Sequence, residues 1–157
     1  MRKSTAALLV LVLCIGLMSG CGAKEPSTLH TFHDLTILLP LEFLDLSNAA
    51  FAKDYDFLFG YDPITVSGLR DEKTLFASYD LNTERYGMLV MEINGLDSKL
   101  TKTDGIWNTV YTSGDYTYVV TFHETKDAFW TVQSYCPTGN YSQVSDLMWE
   151  ILKSVTA

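Results

Sequence analysis

The chain has 157 residues, 11 Lys and Arg against 19 Asp and Glu, and a net charge of −8. That length gives one domain of ordinary size with room for a real core. The acidic balance argues against nucleic acid as a partner, whose binding is led by Lys and Arg neutralising phosphate. It argues equally against a face pressed onto anionic lipid headgroups.

Arg2 and Lys3 precede an apolar run from Ala6 to Met18, broken only by Gly16 and followed by the small residues Ser19 and Gly20. Basic, then apolar, then small is the layout of an export signal, and the run is too short for a comfortable membrane span. Cys21 sits directly behind Ser19-Gly20. The stretch "LMSGC" at 17–21 resembles the lipobox of bacterial lipoproteins, with Met18 where leucine is more usual. The resemblance implies that residues 1–20 are removed and that the Cys21 thiol carries a diacylglyceryl group. The domain would then be extracytoplasmic and held at the bacterial cell membrane, since two acyl chains suffice for stable anchoring. Loss of residues 1–20 leaves 137 of the 157, and loss of Arg2 and Lys3 moves the net charge from −8 to −10. Cys14 leaves with the signal and Cys21 is capped by lipid, so only Cys136 remains and no intramolecular disulfide can form. Residues 21–30 read as a tether, because Gly22 to Thr28 carries no large apolar residue. A single domain is expected over 31–157.

Within that domain, "TFHDLTILLP" reads as a strand over 31–39 closed by Pro40. "DYDFLFGYD" places Tyr55, Phe57, Phe59 and Tyr61 on one face of a second strand by the period-2 rule. A third strand follows Pro63. Residues 80–93 read as a helix capped by Asp80 or Asn82, with Leu81, Met88, Leu89 and Ile93 on its apolar face and a stop at Asn94-Gly95. From 100 to 136 three strands, "IWNTVYT", "DYTYVVTFHE" and "AFWTVQSYC", form a meander with turns at Ser113-Gly114 and Thr125-Lys126-Asp127. A last helix, with Ser142 as the expected cap, repeats apolar residues at Val144, Leu147, Met148, Ile151, Leu152 and Val155. The fold class is α+β, an antiparallel sheet covered by two helices on at least one face.

Three local features carry a resemblance: the strand ending in "LLPLEF" at 38–43, the helix ahead of the meander, and the aromatic strand followed by "MWEILKSV" at 148–155. Together they frame residues 31–155 and resemble the PsbP/Mog1/DcrB-like group of small exported and adaptor domains. The resemblance implies a sandwich fold. That group has no common catalytic residues, so no site residue is carried over. A cystatin-like arrangement or a lipocalin fragment would use similar parts.

Candidate chemistry is sparse. His30 and His33 lie three apart, and on a strand they point to opposite faces, so no metal site is expected there. Asp54, Asp56 and Asp62 fail the EF-hand pattern, because Leu58 and Phe59 fall where a ligand and a glycine are required. A turn centred on Lys126 pairs His123 with Phe129 and Cys136 with Tyr116. That separates His123 from Cys136 by about 20 Å, too far for a base and its nucleophile. In that register Cys136 shares a buried face with Tyr118, Val120, Phe122, Trp130 and Val132. No GxSxG, Walker A or GxGxxG is present, and no cofactor is expected. The remaining candidate is the aromatic strand: Tyr55, Phe57, Phe59 and Tyr61 are core if they face inward and a binding patch if the strand is an edge. Two functions fit. One is a non-catalytic, membrane-anchored adaptor acting through a protein partner. The other is a lipoprotein that captures a small molecule or glycan on residues 55–61. No enzyme activity is expected.

Overall fold

The computed structural model describes residues 26–157. The export signal and Cys21 lie outside the described residues. The domain opens on a hairpin, β1 (Ser27–Phe32) and β2 (Leu35–Pro40), which forms a small sheet of its own. The main sheet has seven antiparallel strands: β3 (Leu44–Asp45), β4 (Phe57–Tyr61), β5 (Ile64–Glu72), β6 (Thr101–Thr103), β7 (Ile106–Ser113), β8 (Tyr116–Glu124) and β9 (Ala128–Pro137). Their order across the sheet is β3-β4-β5-β9-β8-β7-β6. Helix α1 (Thr83–Ile93) precedes β6, and helix α2 (Tyr141–Lys153) ends the chain. The expected meander is present as β7, β8 and β9, and the two helices cover opposite faces of the sheet.

Each face of the sheet has its own core. On the first, Phe57, Phe59, Val66, Trp130, Val132 and Cys136 meet Met148, Ile151 and Leu152 of α2 and Leu35, Ile37 and Leu39 of β2. On the second, Val120, Phe122 and Phe129 meet Tyr86 and Met91 of α1. The terminal stripe therefore packs as its period requires, although its centre is Met148 rather than the half-buried Leu147. Ser142 is not the cap: the helix begins at Tyr141, and Asn140 precedes it without a side-chain cap bond.

Other expectations are corrected. The strand expected over 31–39 is broken by a two-residue turn, His33-Asp34, with His33 at φ 52°. Residues 27–30, expected in the tether, are hydrogen-bonded into β1. Asn82 caps α1, its Oδ1 accepting from the Arg85 N–H at 2.9 Å, and the helix stops at Asn94-Gly95 as expected. The buried face of α1 is instead Tyr86, Gly87 and Met91, while Met88 and Ile93 are exposed. Gly87 lets the helix approach closely: a Cβ there would lie 2.9 Å from the Phe122 ring.

The β8–β9 register is one residue off the expected one. His123 pairs with Trp130 and Cys136 with Thr117. Thr125 and Ala128 close the turn, the Thr125 N–H donating to the Ala128 carbonyl and its Oγ1 accepting from the Ala128 N–H. A one-residue slip turns every side chain of a strand over. Tyr118, Val120 and Phe122 thus lie on the face opposite Cys136, which shares its own with Thr117, Val119 and Thr121. Cys136 is fully buried as expected, and burial pushes its thiol pKa up.

Two outcomes are expected. Met148→Ala or Ile151→Ala removes buried volume and costs about 2–5 kcal/mol in urea melts, whereas Lys153→Ala, which breaks only an exposed ion pair to Asp104, changes stability by less than about 1 kcal/mol. His123 is buried against the first core, its Nε2 2.9 Å from Thr121 Oγ1, and burial pushes its pKa from 6.5 down to about 4. The folded state then binds fewer protons than the unfolded chain between those values. Stability present above pH 6.5 is lost as pH falls towards 4, by about 3 kcal/mol in all. His123→Gln should flatten the loss within that window, read from melts at stepped pH. An unchanged slope would show that another group carries it.

Candidate functional site

Of the two readings of the aromatic strand, core or binding patch, its centre takes the first. Phe57 and Phe59 are core residues, 1% and 3% exposed. Phe57 lies over its strand partner Gly68, and its ring stacks on Phe32 at 4.4 Å. Tyr61 stands at the rim beside Phe43, 5.8 Å between ring centroids. Tyr55 precedes β4 and reaches the opposite face of the sheet, where it lines a cleft with Tyr111 and Tyr118. The reason is local. A 3₁₀ turn, Ala50–Asp54, delivers the chain to β4, and Asp56 takes its N–H to the Gly68 carbonyl and its Oδ2 to the Arg70 N–H at 2.7 Å. Alternation thus fails between Tyr55 and Phe57, where Asp56 fixes the backbone.

The cleft has a volume of about 570 Å³ and opens on the second face, where α1 ends and the sheet continues uncovered. Val90 and Ile93 of α1, with Leu96 just beyond the helix, form one wall; Leu69, Thr131 and Gln133 form the floor. At the floor the Tyr86 hydroxyl donates to Asp71 Oδ2 at 2.7 Å and lies 3.0 Å from Thr131 Oγ1, which orients it. Burial, with smaller help from Asp71, keeps that phenol protonated far above its usual range.

Tyr111 and Tyr118 on the open side of the cleft belong to a tyrosine ladder that runs on beyond it. Tyr111 on β7, Tyr118 on β8 and Tyr135 on β9 are successive register partners. Tyr111 and Tyr118 stack at 5.0 Å with ring planes 5° apart; Tyr118 and Tyr135 stack at 5.1 Å and 28°. Tyr116 meets Tyr135 edge-on at 6.0 Å. Cross-strand aromatic pairs of this kind stabilise a sheet and fix its local surface. Burial first, then the nearby phenols of Tyr55, Tyr118 and Tyr116, push the hydroxyls of Tyr111, Tyr118 and Tyr135 above the ordinary phenol range. They are neutral donors and acceptors at physiological pH. An aromatic, half-buried wall with neutral hydroxyls and an apolar rim supplies binding chemistry.

The other candidates are dispersed. His30 packs edge-on against Phe59 at 4.7 Å, while His33 sits in the hairpin turn. His123 and Cys136 share one face of the sheet but lie six residues apart along β9, roughly 20 Å. Among the described residues there is no group of three or more His, Cys, Asp or Glu placed to hold a metal ion. No helix among the described residues is long and apolar enough to cross a membrane.

No protein-family model matches the chain, and no curated protein does. Solved structures do. The solution structure of cyanobacterial PsbP (CyanoP) from Synechocystis superposes with a TM-score of 0.56 at 15% identity, covering 88% of this chain and 97% of that one. The Ran-binding protein Mog1p of Saccharomyces cerevisiae gives 0.53 at 8% identity, covering 85% and 96%. A Bacteroides thetaiotaomicron protein gives 0.51 at 14%, covering 85% of this chain and 48% of its own. The chain has a PsbP/Mog1-like fold. At such identities the likeness is one of fold alone.

A spectroscopic consequence follows from the ladder. Tyr118→Phe removes a phenol whose ionisation opposes that of Tyr111 and Tyr135. In an ultraviolet pH titration of the folded protein, the late-ionising tyrosines should titrate earlier in this variant by more than the loss of one group explains. A curve that merely loses one tyrosine would mean the rings do not couple.

Proposed function

We propose that the chain is an exported lipoprotein, anchored to the bacterial cell membrane through Cys21, whose domain is a non-catalytic adaptor that holds a protein partner in the tyrosine-lined cleft. The observation that carries the reading is the way the rings are used. Tyr118 stacks against Tyr111 on one side and Tyr135 on the other, so both its faces are spent. A sugar recognised by stacking needs a free ring face. The end rings Tyr111 and Tyr135 each stack on Tyr118 by one face, and beside the ladder's hydroxyls lie apolar Leu69 and Ile93, 37% and 74% exposed. That mixture suits a peptide segment, whose backbone bonds to hydroxyls while its side chains take the apolar wall. Mog1p, the yeast protein of the same fold, is a Ran-binding protein, which agrees with this reading. The lipobox supports the anchor, and the glycan reading of residues 55–61 loses its support with Phe57 and Phe59 in the core.

Two tests apply. Cys21→Ala should leave unprocessed precursor that takes up no fatty-acid label; labelled mutant protein would sink the anchor. For the cleft, a photo-crosslinking amino acid in place of Ile93 in the full chain, irradiated in native membranes, should give one discrete protein adduct. Tyr118→Ala should abolish that adduct, and Lys153→Ala on the other face should not. Loss of a co-purifying small molecule in Tyr118→Ala, with no protein adduct in either background, would replace the adaptor by a ligand carrier.

A further inference from the structure

The cleft is not the only surface with an unexplained composition. Residues 26–32 and 35–41 contain no Lys, Arg, Asp or Glu, in a chain of net charge −8. They form the β1–β2 hairpin and its exit. Its inward face is core: Leu35, Ile37 and Leu39 are fully buried. Its outward face carries no charge and mixes leucines with small polar residues, and among the described residues no layer covers the leucines. Leu29 and Leu38 are register partners, 59% and 43% exposed, and Leu41 follows at 59%. The Leu41 N–H donates to the Pro26 carbonyl at 3.2 Å, so these leucines gather at the end of the hairpin where the chain enters the domain.

That entry point decides what covers them. Five residue steps separate Cys21 from Pro26, at most roughly 18 Å of chain. A lipid on Cys21 therefore holds this end of the hairpin within a short reach of the bilayer surface. We infer that the outward face of the β1–β2 hairpin, through Leu29, Leu38 and Leu41, lies against the membrane that holds Cys21. The inference rests on the lipid-anchor reading above. The chemistry of the surface agrees with it. An acidic domain is repelled by anionic headgroups, and the two strands of this hairpin carry no carboxylate, the nearest being Asp34 in the turn and the exposed Glu42 beyond Leu41. Apolar side chains on such a face enter the headgroup–acyl boundary, with Ser27, Thr31 and Thr36 left to the polar layer. Weak contact is enough, because the tether converts docking into an intramolecular step at high effective concentration. The hairpin packs on the first face of the sheet and the cleft opens on the second. Docking therefore turns the cleft away from the membrane.

The test uses the full chain, lipidated and purified in detergent, with an environment-sensitive fluorophore on Leu38→Cys or, as the opposite-face control, on Asn94→Cys. Cys136 is buried and Cys21 acylated, so labelling is directed to the introduced thiol. The protein is placed in phosphatidylcholine vesicles with and without nitroxide-labelled acyl chains. The expected result is flotation with the vesicles, strong quenching at position 38, and none at 94. Leu29→Ser with Leu41→Ser should abolish the quenching at 38 and leave flotation unchanged. Failure to float, with no acyl mass on Cys21, would remove the anchor itself. Flotation with equal emission at both positions would keep the anchor and overturn the docking. A position-38 probe shielded from water but not quenched by lipid would assign the face to a protein or a second copy, which also overturns it.

Discussion

The turn between β8 and β9 decides what this molecule is. Thr125 uses its N–H and its hydroxyl oxygen to hold both polar groups of Ala128. That pairing locks the two central strands β8 and β9 in one register, and the period of two then assigns every side chain of β8 to a face. In this register Val119, Thr121 and His123 lie under α2, while Tyr118, Val120 and Phe122 lie under or beside α1. Shifted by one residue, the polar set would replace the apolar one in the second core, and the ladder of phenols would be dismantled.

The two faces are consequently unlike. The first is closed by a helix and a hairpin that together bury Trp130 and the phenylalanines of β4. The second is closed by a single helix of 11 residues, which reaches over only part of a seven-stranded sheet. A sheet too wide for its cover leaves aromatic side chains at the margin. Tyrosine suits such a margin, since its ring packs against a neighbour while its hydroxyl remains in water.

Much of this was legible in the sequence. The meander, the terminal helix and its stripe, the Asn82 cap and the Asn94-Gly95 stop follow from local chemistry and regular periods. What escaped lies where a single side chain overrides the period. The hairpin was hidden within 31–39 because His33 adopts a positive φ without a glycine to announce it. The buried face of α1 departs from the leucine and methionine pattern because a tyrosine and a glycine, Tyr86 and Gly87, define it together with Met91. The candidate site was missed for the same reason as the register. A turn centred on Lys126 differs by half a residue from the one that Thr125 sets, and that shifts the pairing by one. With the turn placed between Lys126 and Asp127, Tyr118 falls opposite Tyr135, and the ladder could have been read from the spacing of tyrosines in three successive strands. Tyr55 had no comparable signal, since its displacement from the Phe57 face comes from the 3₁₀ turn before it.

The hairpin has a mechanical meaning as well. Ser27 and Pro40 pair at the end of the hairpin where the chain enters, and His33-Asp34 closes the other. β2 is held independently of β1: Thr36 exchanges two backbone hydrogen bonds with Thr156, and Ser154 Oγ bonds both backbone groups of Leu38. A pull from the N-terminal side thus reaches the β1–β2 pairs in succession, not all at once, in the manner of a zip rather than a shear. Strand β1 can peel from a β2 that stays in place, and force passes directly to the sheet only where His30 and Phe32 pack on Phe59 and Phe57. The first strand is a sacrificial leash, and the rest of the domain is sheltered behind it.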